Sequence, residues 1–120
     1  MFINESEIES IYLYKEAIDF RNGINGLSIF VERELEKNLF SRSLFVFINR
    51  NKSKLKVLYW DDNGFCLWQK RLEKSKYSWP IHMSSDKTIA LTIQQFKWML
   101  EGFNLRYWKP HEVLKYEKII

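Results

Sequence analysis

Cysteine is all but missing from these 120 residues: Cys66 stands alone, which excludes a disulfide framework and a cysteine-rich metal cluster. Set inside an apolar run, it reads as core filling rather than a reactive thiol. Histidine is nearly as scarce, and neither His82 nor His111 has a ligand or nucleophile at a motif spacing. Four glycines and two prolines provide no linker and no glycine-rich phosphate loop, since no Gly-Lys-Ser/Thr follows Gly23 or Gly26. No apolar stretch approaches the ~18 residues of a membrane-spanning helix. The opening MFINESEIES puts acids ahead of any apolar run, the wrong order for a secretory signal. A reducing cytoplasm is the expected setting, with no cofactor and no membrane contact. Repeats and low-complexity tracts are absent too, so residues 1–120 read as a single domain.

What the chain does have is apolar and aromatic mass. Hydrophobic residues make up 46% and aromatics 17%, with five tryptophans, which argues against disorder as the main state. A chain this long buries roughly 65–70% of its unfolded surface around one core. Its 19 Lys and Arg against 15 Asp and Glu give +4. That mild excess suits nucleic acid or an acidic partner without demanding either.

Leu44–Pro80 organises the rest. Leu44–Arg50, Lys54–Asp61 and Phe65–Leu72 are three β-branched and aromatic runs parted by short polar breaks, so they predict an antiparallel meander. Asn63-Gly64 supplies the turn residues of the second break. Tyr77–Pro80 adds a short edge piece closed by proline. In the second strand, Leu55, Val57 and Tyr59 alternate with Lys54, Lys56, Leu58 and Trp60. A helix on one side and a partly open second side accommodate that pattern.

Before the meander, Ile11–Lys15 predicts a strand and Ala17–Gly26 a loop, across which Asp19 and Arg21 can pair. Leu27–Leu39 has a helical stripe in Leu27, Phe30, Val31, Leu35 and Leu39. Glu32/Glu36 and Arg33/Lys37 stand four apart as like-charge pairs, so only packing on the sheet holds this helix. After the meander, Thr88–Leu91 predicts a last strand. Thr92 opens a helix with capping-box spacing to Gln95 and a stripe of Ile93, Phe96, Met99, Leu100 and Phe103. Gly102 stands where a left-handed cap ends it. The fold class is α+β: a mainly antiparallel β-meander with one helix before it and one after it. Residues 106–120 are set apart as a tail that docks on its own or on a partner.

Chemistry is thin. Asp61, Asp62 and Glu101 suggest a carboxylate metal site of the kind nucleases use, but a tight turn and a helix end are ordinary places for acids. Arg50, Lys52, Lys54 and Lys56 bracket the first turn, and Lys70, Arg71, Lys74 and Lys76 close the third strand. Antiparallel pairing brings these together as a basic patch with rings beside it, fit for phosphates and stacked bases. The plainer reading is a sheet edge guarded by lysines. Trp98 falls ~140° from Ile93 on the helical wheel, off the stripe, and with Trp108 it is a candidate partner contact.

Several motifs in order resemble a known family. Asp19-Phe-Arg21-Asn-Gly23-Ile-Asn-Gly26-Leu27 resembles the D-x-R-x-G-x-x-G-L segment of the small accessory protein, often called TnpB, of insertion-sequence-66-type transposons. Phe45-Val-Phe47, Lys56-Val-Leu58-Tyr-Trp60-Asp61, Gly64-Phe65-Cys-Leu67, Lys70-Arg71-Leu72-Glu73, Trp79-Pro80 and Leu100-Glu101-Gly102 are similar to its later segments. Departures fall at Arg50-Asn51-Lys52, where paired arginines are usual, and at Ser75, where glycine is. The resemblance implies a bacterial, cytoplasmic, non-enzymatic accessory to transposition, distinct from the RNA-guided nuclease of the same name. Its implied partners are the element's other transposition proteins, its DNA, or both. Two readings stay open. One is a DNA-binding module using Arg50, Lys52, Lys54, Lys56, Lys70 and Arg71; the other is an adaptor using Trp98, Trp108 and the tail. The modest +4 leans toward the adaptor.

Overall fold

A computed structural model describes residues 3–102; Trp108, His111 and the 106–120 tail lie outside the described residues. Its centre is a five-stranded sheet of order β4-β3-β2-β1-β5, built from β1 (Ser10–Tyr14), β2 (Ser43–Ile48), β3 (Lys54–Asp61), β4 (Gly64–Arg71) and β5 (Thr88–Leu91). The expected meander is β2-β3-β4, paired antiparallel in register. β1 lies parallel to β2, across a connection that contains α1 (Ile24–Arg33), and β5 closes the far edge antiparallel to β1. Every residue of β2 is buried, because this central strand has covered faces on both sides.

The sheet is covered on both faces, not on one. Leu44, Val46 and Ile48 point to one side, into a core with Ile11, Leu13, Leu55, Val57, Phe96 and Met99. Phe45 and Phe47 point to the other, into a core with Leu27, Val31, Leu35, Leu39 and Leu58. So α1 covers one face and α2 (Ile93–Leu100) the opposite one. Among the described residues no helix is long and apolar enough to cross a membrane.

Three local expectations need correction. The first helix begins at Ile24 and ends at Arg33, not 27–39. Gly23 caps its start without a side chain, and Glu36 turns to φ 54, so the chain leaves the helix where like-charge pairs would accumulate. Leu35 and Leu39 stay buried without it. The β3–β4 turn is Asp62-Asn63, with Asp62 at φ 51 and Gly64 already paired to Asp61. Tyr77–Pro80 forms no strand. Tyr77 donates its N–H to the Lys52 carbonyl (2.8 Å) and Trp79 its indole N–H to the Tyr14 carbonyl (3.0 Å). That run crosses the sheet's end beside α2's core and carries the chain from β4 to β5. The second helix matches its signals: Thr92 and Gln95 make the reciprocal capping box, and Gly102 has φ 98.

Candidate functional site

The Asp19–Leu27 loop is built by its own side chains. Asp19 takes the Arg21 backbone N–H (2.9 Å) and clasps the guanidinium through both carboxylate oxygens, the pairing expected from sequence. The Arg21 hydrogen bonds, and its charge, hold the Asp19 carboxyl down at about 2. Asn22 bonds the Asp19 carbonyl through both its N–H and its side-chain amide. Its Oδ1 lies 2.8 Å from where a Cβ on Gly26 would sit, so this tight approach favours glycine there. The clasp leaves the Arg21 side chain 91% exposed.

Beneath the loop lies Lys56, placed apart from the exposed cations of the basic patch. Lys56 is only 6% exposed. Its Nζ donates to the carbonyls of Phe20 (2.7 Å) and Asn22 (2.8 Å) and stands 4.6 Å from the centre of the Phe20 ring. Burial first, then the neighbouring Lys54, pushes its pKa below that of an ordinary lysine. The ammonium is a brace between β3 and the loop. In sequence it stands on a basic alternation and opens the Lys56–Asp61 family segment, and neither mark tells a brace from a contact.

The other cations do gather at one end of the hairpin. Lys54 pairs with Arg71 and Leu55 with Lys70; the Leu72 N–H reaches the Ser53 carbonyl (2.8 Å) and the Tyr77 N–H that of Lys52 (2.8 Å). These bonds draw the segment bearing Lys74 and Lys76 against the turn bearing Arg50 and Lys52. The patch is nevertheless divided. Directly paired residues share a face, so Lys54 and Arg71 lie on α1's side and Lys70 on α2's. Lys70 donates its Nζ to the Leu100 carbonyl (3.0 Å), at the negative end of α2. Arg71 pairs with Glu73 (2.9 Å). Arg50, Lys52, Lys74 and Lys76 are exposed and Lys54 is half-buried.

Acids collect at the opposite end of the sheet. Asp61 and Asp62 turn there, and Arg42 bridges Asp62 (3.0 Å) and Glu7 (3.7 Å). Among the described residues charge is thus spread unevenly, with cations gathered at one end of the hairpin, a basic pole, and acids at the other. The rings expected beside that pole are not Trp60 and Phe65. Those pair next to Asp61 and Gly64 and pack edge-to-face with each other and near Phe40, itself 59% exposed. The basic pole has Phe20, in the signature loop, and the buried Tyr77. Trp79 and Pro80 are buried, and Trp98 is half-buried against α2's core.

The carboxylate site is not assembled. Glu101 follows Leu100, whose carbonyl meets Lys70 across from Leu55. Asp61 lies six residues further along β3, ~20 Å at ~3.3 Å per residue. Among the described residues no three His, Cys, Asp or Glu side chains sit together as a metal site.

A family model described as IS66 Orf2 like protein matches residues 9–110. Two curated proteins of Sinorhizobium fredii are similar. "Uncharacterized protein y4hO" is 34% identical over 99 residues, covering 79% of this chain and 84% of that one. "Uncharacterized protein y4jC" is 31% identical over 94 residues, covering 73% and 80%. No solved structure gives a significant match.

Proposed function

Because the chain belongs to the family of IS66 Orf2-like proteins, we propose that it is a non-catalytic accessory of insertion-sequence transposition that rests its basic pole on the phosphates of element DNA. One observation carries this reading. Backbone hydrogen bonds from Leu72 to Ser53 and from Tyr77 to Lys52 set two separate cationic segments side by side. Phosphate contacts of this kind position a protein without specifying sequence. The pole needs Arg50, Lys52, Lys54, Lys74 and Lys76; it does not need Lys56 or Lys70, whose ammonium groups serve the fold.

The test is a salt titration of binding to element-end duplex. Log K should fall against log salt with a slope of about −0.9 per phosphate contacted. Replacing Lys52, Lys54 and Lys76 by Gln should flatten it by up to ~3 units, equally for unrelated sequences. Incubation with Mg²⁺ or Mn²⁺ should leave the DNA uncut. Salt-insensitive binding, or none at low salt, removes the pole from the account.

A second reading rests on Phe40, whose ring stands 59% exposed over Trp60 and Phe65. Exposed aromatic clusters mark protein contacts. A pull-down with the element's other proteins, lost in Phe40→Ala and retained in the lysine variant, would favour an adaptor.

A further inference from the structure

We infer that the cleft between the signature loop and the β2–β3 turn receives one unpaired nucleotide, its base against the Phe20 ring and its phosphate on Arg50. The cleft is an open depression of about 550 Å³, lined by Asp19 and Phe20 from the loop and by Asn49, Arg50 and Asn51 from the turn. That volume falls within the range of small-ligand sites, ~300–1,000 Å³.

Both walls are braced. Lys56 holds the Phe20 and Asn22 carbonyls from beneath, and the Ile18 N–H bonds the Ile48 carbonyl (2.9 Å). Across the cleft, the Asn49 side chain accepts from the Lys54 N–H (2.9 Å) and donates to Ser53 Oγ (3.2 Å). Asn51 accepts from Ser53 through Oδ1, which leaves its amide NH₂ oriented by the turn as a donor.

The chemistry of the walls suits a nucleotide. The Phe20 ring is half-buried and carries an ammonium 4.6 Å from its centre, which draws density from the ring and favours stacking on an electron-rich base. Asp19 is clasped by Arg21, and the Arg50 charge is the least of the influences on its carboxylate, which leaves Arg50 open to a phosphate. A base inside a duplex has no exposed face to give such a ring, so the occupant is an unpaired one. The inference rests on the basic pole as the DNA-contacting surface, since the strand that feeds the cleft passes Lys52 and Lys54.

The experiment compares a blunt duplex with the same duplex bearing a six-nucleotide single-stranded overhang, by fluorescence anisotropy. The overhang should bind about ten-fold tighter, the worth of one stacked base. Phe20→Leu should abolish that preference while blunt-duplex affinity stays unchanged. Asn51→Asp, on an exposed turn away from the core, should reduce it independently if Phe20→Leu fails to fold. Equal affinity for the two probes overturns the cleft and leaves the pole standing. Binding of the overhang alone supports the cleft and overturns the duplex reading. Binding of neither overturns both.

Discussion

Lys56 and Lys54 are neighbours on one strand face, and replacing each by Met should produce opposite outcomes. Lys56 is buried with its ammonium on two loop carbonyls. Charge-assisted bonds contribute about 1.5–3 kcal/mol each, and a buried group left unpaired costs about 1–3 kcal/mol. Two offsets reduce the total. Asn22 is exposed and Phe20 half-buried, so water can satisfy both freed carbonyls, and Met removes the cost of burying a charge. The expected loss for Lys56→Met is therefore about 1–2 kcal/mol in urea unfolding. Its salt slope on DNA should not change, because no phosphate reaches the ammonium. Lys54→Met should shift stability by less than about 0.5 kcal/mol and flatten the slope by about 0.9. The two curves, unfolding and salt titration, separate a brace from a contact without a structure of the complex. A stable Lys56→Met protein with a flattened slope would refute the brace and restore Lys56 to the patch.

The remaining predictions concern the core and its titration. Phe96 is fully buried beneath the sheet, so Phe96→Ala should cost about 3–5 kcal/mol in the same urea assay; a loss under about 1 kcal/mol would mean that α2 packs elsewhere. Tyr77 is buried, and desolvation pushes its hydroxyl up to about 12. Between pH 10 and 12 the unfolded chain therefore ionises this tyrosine while the folded chain keeps its proton. Stability should fall through that window by up to about 3 kcal/mol, and Tyr77→Phe should flatten the fall. An unchanged alkaline limb in Tyr77→Phe would place the titration on another group.

Much of the architecture is legible because alternation and capping are local. Leu55, Val57 and Tyr59 against Lys56, Leu58 and Trp60 reads directly as two faces, and the structure sends the first three to one core and Leu58 to the opposite one. Thr92 and Gln95 announce a helix that is there. The bounds of the helix over 24–33 are less legible, because Leu35 and Leu39 continue its stripe by burial alone after the backbone has left it. A period of apolar positions reports which side chains meet the core, not which residues keep helical hydrogen bonds. Tyr77–Pro80 fails for a related reason. Aromatic residues suited to a strand were instead used as cover, their N–H groups satisfied by carbonyls at the sheet's end.

The site is legible only as composition. Sequence places eight cations around one hairpin end, and register then distributes the four on the strands over two faces. Whether a lysine faces solvent or a carbonyl depends on what lies across from it. For Lys56 that is a loop more than 30 residues away in the chain; for Lys70 it is the end of a helix 30 residues on. Both ammonium groups take the place of water on carbonyl oxygens, one set in an irregular loop and the other at α2's last turn. The same logic gives the signature segment its meaning. Its aspartate, arginine and glycines shape a loop that β3 braces from below, and that brace presents Asp19 and Phe20 beside Arg50. A positive residue that stabilises the fold and one that meets a ligand have the same letter, and only the partner across the sheet tells them apart.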